Sequence, residues 1–147
     1  MAFRKKIHLI ENLKPDIVII QECENINKIE SLNIHQKLWV GKNNNKGVGI
    51  FSFNSEYNIK LIDFNYDNNR WFIPFSVNES TTIIAVWAMN HRDNPILENI
   101  QPTYRTINNN LIKSADIIVG DFNNNVIWDL KGSKKYDKGT FEDIKTL

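Results

Sequence analysis

Two apolar runs of nearly the same design constrain this chain more than any other feature. One is Asp116-Ile117-Ile118-Val119-Gly120-Asp121-Phe122-Asn123. Its three unbroken β-branched residues read as a strand buried on both faces, too short for a helix and stopped by a glycine. Asp121 and Asn123 follow at the side-chain period of a strand, so both point to one side if the extended backbone carries through Phe122. An anionic acceptor and a carboxamide then stand together at the carboxyl end of a core strand, where α/β sheets commonly build their sites. The second run, Asp16-Ile17-Val18-Ile19-Ile20-Gln21-Glu22, also ends in an amide and a carboxylate. Two such strands delivering carboxylates to one rim can form a site for a hard divalent cation.

Between the two runs the pattern changes period several times. Apolar residues at Phe3, Ile7, Ile10 and Leu13 predict a helix over 3–13, ended by Pro15 and its effect on Lys14. A short helix is expected over 25–32. Strands are expected over 36–40, 47–53, 57–64, 70–77 and 81–89, the last of them central. Pro74 suits an edge strand or a bulge. An amphipathic helix is expected over 98–113, with Pro102 in its first turn, then the strand 116–122, then loop and the start of a helix near Thr140. This order of helix, strand, hairpin-linked strands, helix and strand predicts an α/β fold with a mixed sheet.

Composition sets outer limits on function. The 147 residues suffice for a single domain, expected over 1–147, and the 41% hydrophobic content excludes a disordered chain. A net charge of +1 makes no strong electrostatic case for a polyanion or an anionic membrane. Arg4-Lys5-Lys6 and 131–138 are locally basic and read as a solvated helix face and a loop. Cys23 is the only cysteine, so no intramolecular disulfide forms. No apolar run approaches the 18 residues of a membrane span, and no signal-like apolar core precedes Glu11, so a cytoplasmic chain without a membrane partner is expected.

The runs Pro15-Asp16-Ile17-Val18-Ile19-Ile20-Gln21-Glu22, Gly47-Val48-Gly49-Ile50-Phe51-Ser52 and Gly120-Asp121-Phe122-Asn123 resemble, in this order, the endonuclease/exonuclease/phosphatase superfamily. The resemblance covers roughly residues 3 to 130. It implies part of a four-layer α/β sandwich of the deoxyribonuclease-I-like type, with mixed, mostly antiparallel sheets and flanking helices. It also implies Mg²⁺-dependent hydrolysis of a phosphodiester or other phosphoester, nuclease-like, by attack of water on phosphorus. Glu22 matches the glutamate that holds the ion, with Mn²⁺ as a substitute. Asp121 and Asn123 match the pair that orients the water and holds the phosphoryl oxygen. His91, after the strand 81–89, matches a histidine that contacts the scissile phosphate, and Arg70 lies where some nucleases place a phosphate-binding arginine. Gln21 is expected to support Glu22.

Against this pattern, the chain begins at or past the family's first, Asn-bearing strand, and no Asp-His pair or histidine follows His91. A partial copy of the domain is therefore expected. The alternative from another class is a non-catalytic binding module or a nonfunctional fragment. The partner the resemblance implies is the substrate itself, a nucleic acid or another phosphoester.

Overall fold

In the computed structural model of the chain, residues 3–64, 72–87 and 113–122 are described. Phe3–Lys5 forms a 3₁₀ turn that runs into α1 (Ile7–Glu11), and a second 3₁₀ turn spans Ile26–Lys28. The strands are β1 (Ile17–Cys23), β2 (Gln36–Asn43), β3 (Lys46–Ser52), β4 (Ile59–Leu61), β5 (Phe72–Val77), β6 (Thr81–Trp87) and β7 (Ile117–Asp121). They make two sheets, ordered β1-β3-β2 and β4-β5-β6-β7, antiparallel except for the parallel pair β6/β7.

The described residues are thus mostly β, and the expected four-layer α/β sandwich with flanking helices is corrected to two small sheets with little helix. Local chemistry explains the shortfall. The helical pattern over 3–13 yields only the five residues of α1. At its front, the Glu24 carboxylate accepts from the backbone N–H groups of Phe3 and Arg4, which fixes the first turn as 3₁₀. At its back, Lys14 takes a left-handed φ of 49° before Pro15. The pattern over 25–32 collapses to one 3₁₀ turn, capped by the Asn25 side chain on the Asn27 N–H. The helix expected over 98–113 falls almost wholly outside the described residues, as does the one near Thr140.

Strand alternation sorts the core into two layers. Val48 and Ile50 of β3 belong to one buried cluster with β5 and β6, whose register sets Ile73, Phe75, Ile83 and Ala85 on one face and Phe72, Ile84 and Val86 on the other. The alternate residue, Phe51, faces the other way with Cys23, and Phe3, Ile7 and Ile29 close over them. Central strand β3 is therefore buried on both faces. Fully burying each large aliphatic or aromatic residue contributes roughly 1.5–3 kcal/mol, so this double layer dominates the stability of the sheets.

Pro74 sits inside β5, between β4 and β6. Its carbonyl accepts from the Ile62 N–H just past the end of β4, so its missing donor also points to that side, where β4 has stopped. The ladder to β6 loses nothing, and the position behaves as an edge within an internal strand.

The final strand departs from expectation. Among the described residues β7 is the last strand of its sheet, and Ile117 and Val119 are 47% and 42% exposed, not buried on both faces. No described helix is long and apolar enough to cross a membrane.

Candidate functional site

The ends of β1, β6 and β7 meet at one rim. Along β1 the pairing with β3 runs from Ile20↔Gly49 to Cys23↔Gly47, so β1 holds one extra residue there. This is a β-bulge, a device that re-aims a side chain at a strand end. Glu22 lies in the bulge with a φ of 53°, a left-handed conformation that costs a non-glycine residue about 1–2 kcal/mol. Its carboxylate stays half exposed, with the Lys46 ammonium 3.7 Å away. Strain of this kind in an open side chain is a recurring mark of functional positions.

Gln21 joins the two sheets beside it. Its amide nitrogen donates to the Val86 carbonyl of β6 at 3.4 Å. Val86 in turn pairs with Gly120, and Trp87 pairs with Asp121. Glu22 and Asp121 therefore each lie one residue beyond the same junction, although far apart in sequence. Gly120 is what permits this: its φ is 147°, and a Cβ there would stand 2.0 Å from the Val86 oxygen. Any side chain at 120 would push β7 off β6 and carry Asp121 away from the rim.

Of the residues singled out by the sequence, Glu22 and Asp121 lie on strand ends that the Gln21–Val86 hydrogen bond and the β6/β7 pairing bring to one rim. Asn123, His91 and Arg70 lie outside the described residues. Gln21, expected to support Glu22, makes its described hydrogen bond to Val86 on the other sheet. Lys46 is not among the residues the sequence singles out, and its place beside Glu22 is visible only once the hairpin register is known.

Two residues past Glu22, Glu24 is nearly fully buried. Its carboxylate accepts from Phe3 N at 2.7 Å, Arg4 N at 3.1 Å and the Arg4 guanidinium at 3.0 Å. Burial pushes its pKa up, but these bonds outweigh burial and hold it below the usual carboxylate value. Cys23 beside it is buried, and burial, then the Glu24 charge, push the thiol up to about 12. A thiol so hard to ionise is no nucleophile.

A cavity of about 520 Å³ opens at the opposite end of β1, lined by Glu11, Lys14, Asp16, Asn33, Phe53 and Asn54. Asp16 precedes Glu22 by six extended residues, about 20 Å of strand. Its acids are committed within the fold, Asp16 accepting from the Asn54 amide and Glu11 from the Ser31 hydroxyl. The Glu22 carboxylate at the other rim, half exposed and met only loosely by Lys46, is better placed for chemistry.

A half-exposed carboxylate at a strand end, such as that of Glu22, is of the donor type a hard cation takes. Mg²⁺ takes one or two protein carboxylates and completes its shell with water, and Glu22 with Asp121 offers that donor set. Among the described residues no three His, Cys, Asp or Glu side chains gather, so the cage of three or four protein ligands that zinc prefers is not formed there. Comparison with protein-family models gives no match, and no curated protein matches the chain significantly.

Proposed function

We propose that the chain is a metal-dependent phosphoester hydrolase of nuclease-like type, acting at the rim where β1 and β7 end. The observation that supports this reading is that the ends of β1 and β7, which carry Glu22 and Asp121 on different sheets, adjoin at one rim where Glu22 is half exposed. Glu22 holds Mg²⁺ or Mn²⁺. Such an ion, when bound, offsets charge on a phosphoryl oxygen and lowers the pKa of water. Asp121 accepts the proton of the attacking water and orients it toward phosphorus. In the same reading, Asn123 and His91 donate to the phosphoryl oxygens and Arg70 holds a neighbouring phosphate. The order of the three sequence runs supports this assignment, as does the glycine that fixes Asp121 against β6. The cytoplasm is the compartment we propose, the one cysteine being a free thiol.

The test is hydrolysis of bis-p-nitrophenyl phosphate and of plasmid DNA with Mg²⁺. Turnover is expected, and EDTA or Glu22→Ala should abolish it. A well-folded sample with no turnover on either substrate would refute the enzyme and leave a binding module.

A further inference from the structure

Lys46 is the described cation in contact with Glu22, and its setting is unusually well fixed for a surface lysine. It opens β3 opposite Asn43, next to Gly47, which pairs with Cys23 of β1. The hairpin tip before it is tied to the segment after β1 by three contacts. Asn25 N donates to Asn44 O at 3.1 Å, Asn25 Nδ2 to Asn44 Oδ1 at 3.3 Å, and Lys28 Nζ to Asn45 Oδ1 at 3.2 Å. The backbone of Lys46 is thereby held relative to Glu22, and only the four-carbon stem is free to swing.

The contact itself is loose. At 3.7 Å, with both side chains about half exposed, it is a charge contact rather than a tight hydrogen bond, and such pairs hold weakly. A divalent cation competes with an ammonium for one carboxylate. Once displaced, the ammonium stands beside a doubly charged ion with its own counter-charge taken, an arrangement that repels until an anion joins it. A phosphate oxygen of the substrate is that anion.

We infer that Lys46 is the counter-charge of this site, holding Glu22 while no ion is bound and turning to a phosphate oxygen of the substrate once an ion takes the carboxylate. The inference rests on the reading of Glu22 as the ion's ligand and adds a coupling of defined sign. Lys46 opposes the ion alone and favours the ion together with phosphate, so ion and substrate bind cooperatively through it.

Mn²⁺ affinity, followed by water-proton relaxation with and without dimethyl phosphate, tests this in Lys46→Met, Lys46→Arg and Glu22→Gln. Lys46→Met should bind Mn²⁺ alone about two- to fivefold more tightly than the parent. It should lose the gain that dimethyl phosphate gives the parent, and its KM for bis-p-nitrophenyl phosphate should rise by a similar factor. Lys46→Arg should keep the parent's behaviour. Unchanged Mn²⁺ affinity in Lys46→Met, with binding lost in Glu22→Gln, overturns the role of Lys46 and leaves the ion site standing. Unchanged binding in Glu22→Gln overturns both.

Discussion

Glu22 and Glu24 are two residues apart on one strand end, and the fold treats them in opposite ways. Glu24 is sealed beneath the N-terminal turn and holds two backbone N–H groups and a guanidinium. Glu22 is turned outward by a bulge, kept in a left-handed backbone, and given one loose cation. The first carboxylate has its hydrogen-bonding capacity spent on structure. The second is maintained, at a cost in backbone strain, with oxygens still open to a ligand. Being acidic at a strand end therefore does not make a site; what separates the two is which oxygens the fold has already used.

The comparison can be broken at several points. The largest effect on stability belongs to Glu24→Ala, which leaves two backbone donors unsatisfied and uncovers the layer of Phe3, Ile7 and Phe51. A loss of about 3 kcal/mol is expected in urea or thermal unfolding. The pH dependence has a definite sign. The folded carboxyl titrates below its ordinary value of 4.5, so the unfolded chain takes up the proton first. The contribution of Glu24 is complete above that ordinary value and is lost as pH falls through the lower, folded one. The stability gap between parent and Glu24→Ala should therefore narrow on acidification, and a gap that stays constant would show that the charge contributes nothing.

Gly120→Ala comes next. It forces a Cβ into the Val86 carbonyl at a φ that alanine avoids, and a loss well above 1 kcal/mol is expected. It should also reduce turnover, because Asp121 rides on the same strand end. Full activity in a folded Gly120→Ala protein would show that the β6/β7 junction does not position the site.

The smallest effect separates strain that serves a site from strain that does not. Glu79 has a φ of 56°, much like Glu22, but lies in the turn between β5 and β6 after Asn78, itself at 52°. This is the backbone of a type I′ turn, whose second position favours glycine. Glu79→Gly should stabilise the protein by about 0.5–1 kcal/mol without altering turnover, since the ion pair with Lys60 is almost fully exposed. A destabilised Glu79→Gly would mean that the turn is held by more than its backbone geometry.

The sequence made part of this legible. Strands β1, β3, β6 and β7 could be read because β-branched runs and glycine or proline boundaries specify extended backbone locally. The burial of β7 could not, because an Ile-Ile-Val run has the same propensity at an edge as at a centre, and its neighbours decide which it is. The helical content was overestimated for a related reason. The spacing of Phe3, Ile7 and Ile10 is helical, but a carboxylate from residue 24 takes the first N–H groups and Lys14 stops the last turn. In the candidate site, Glu22 and Asp121 were readable as strand-end carboxylates. Lys46 was not, since its position depends on the register of the β2/β3 hairpin and on a bulge invisible to periodicity.

The most direct test of the contrast sets Glu22→Gln beside Glu24→Gln in Mg²⁺-dependent hydrolysis of bis-p-nitrophenyl phosphate, with rates expressed per folded molecule. Losing an ion ligand removes several kcal/mol of transition-state stabilisation, so Glu22→Gln should fall by about 10²–10³-fold or more with its melting temperature nearly unchanged. Glu24→Gln should melt lower yet keep nearly the parent rate. Equal rates in Glu22→Gln and the parent, or a loss of rate confined to Glu24→Gln, would contradict the assignment of Glu22 as the working carboxylate.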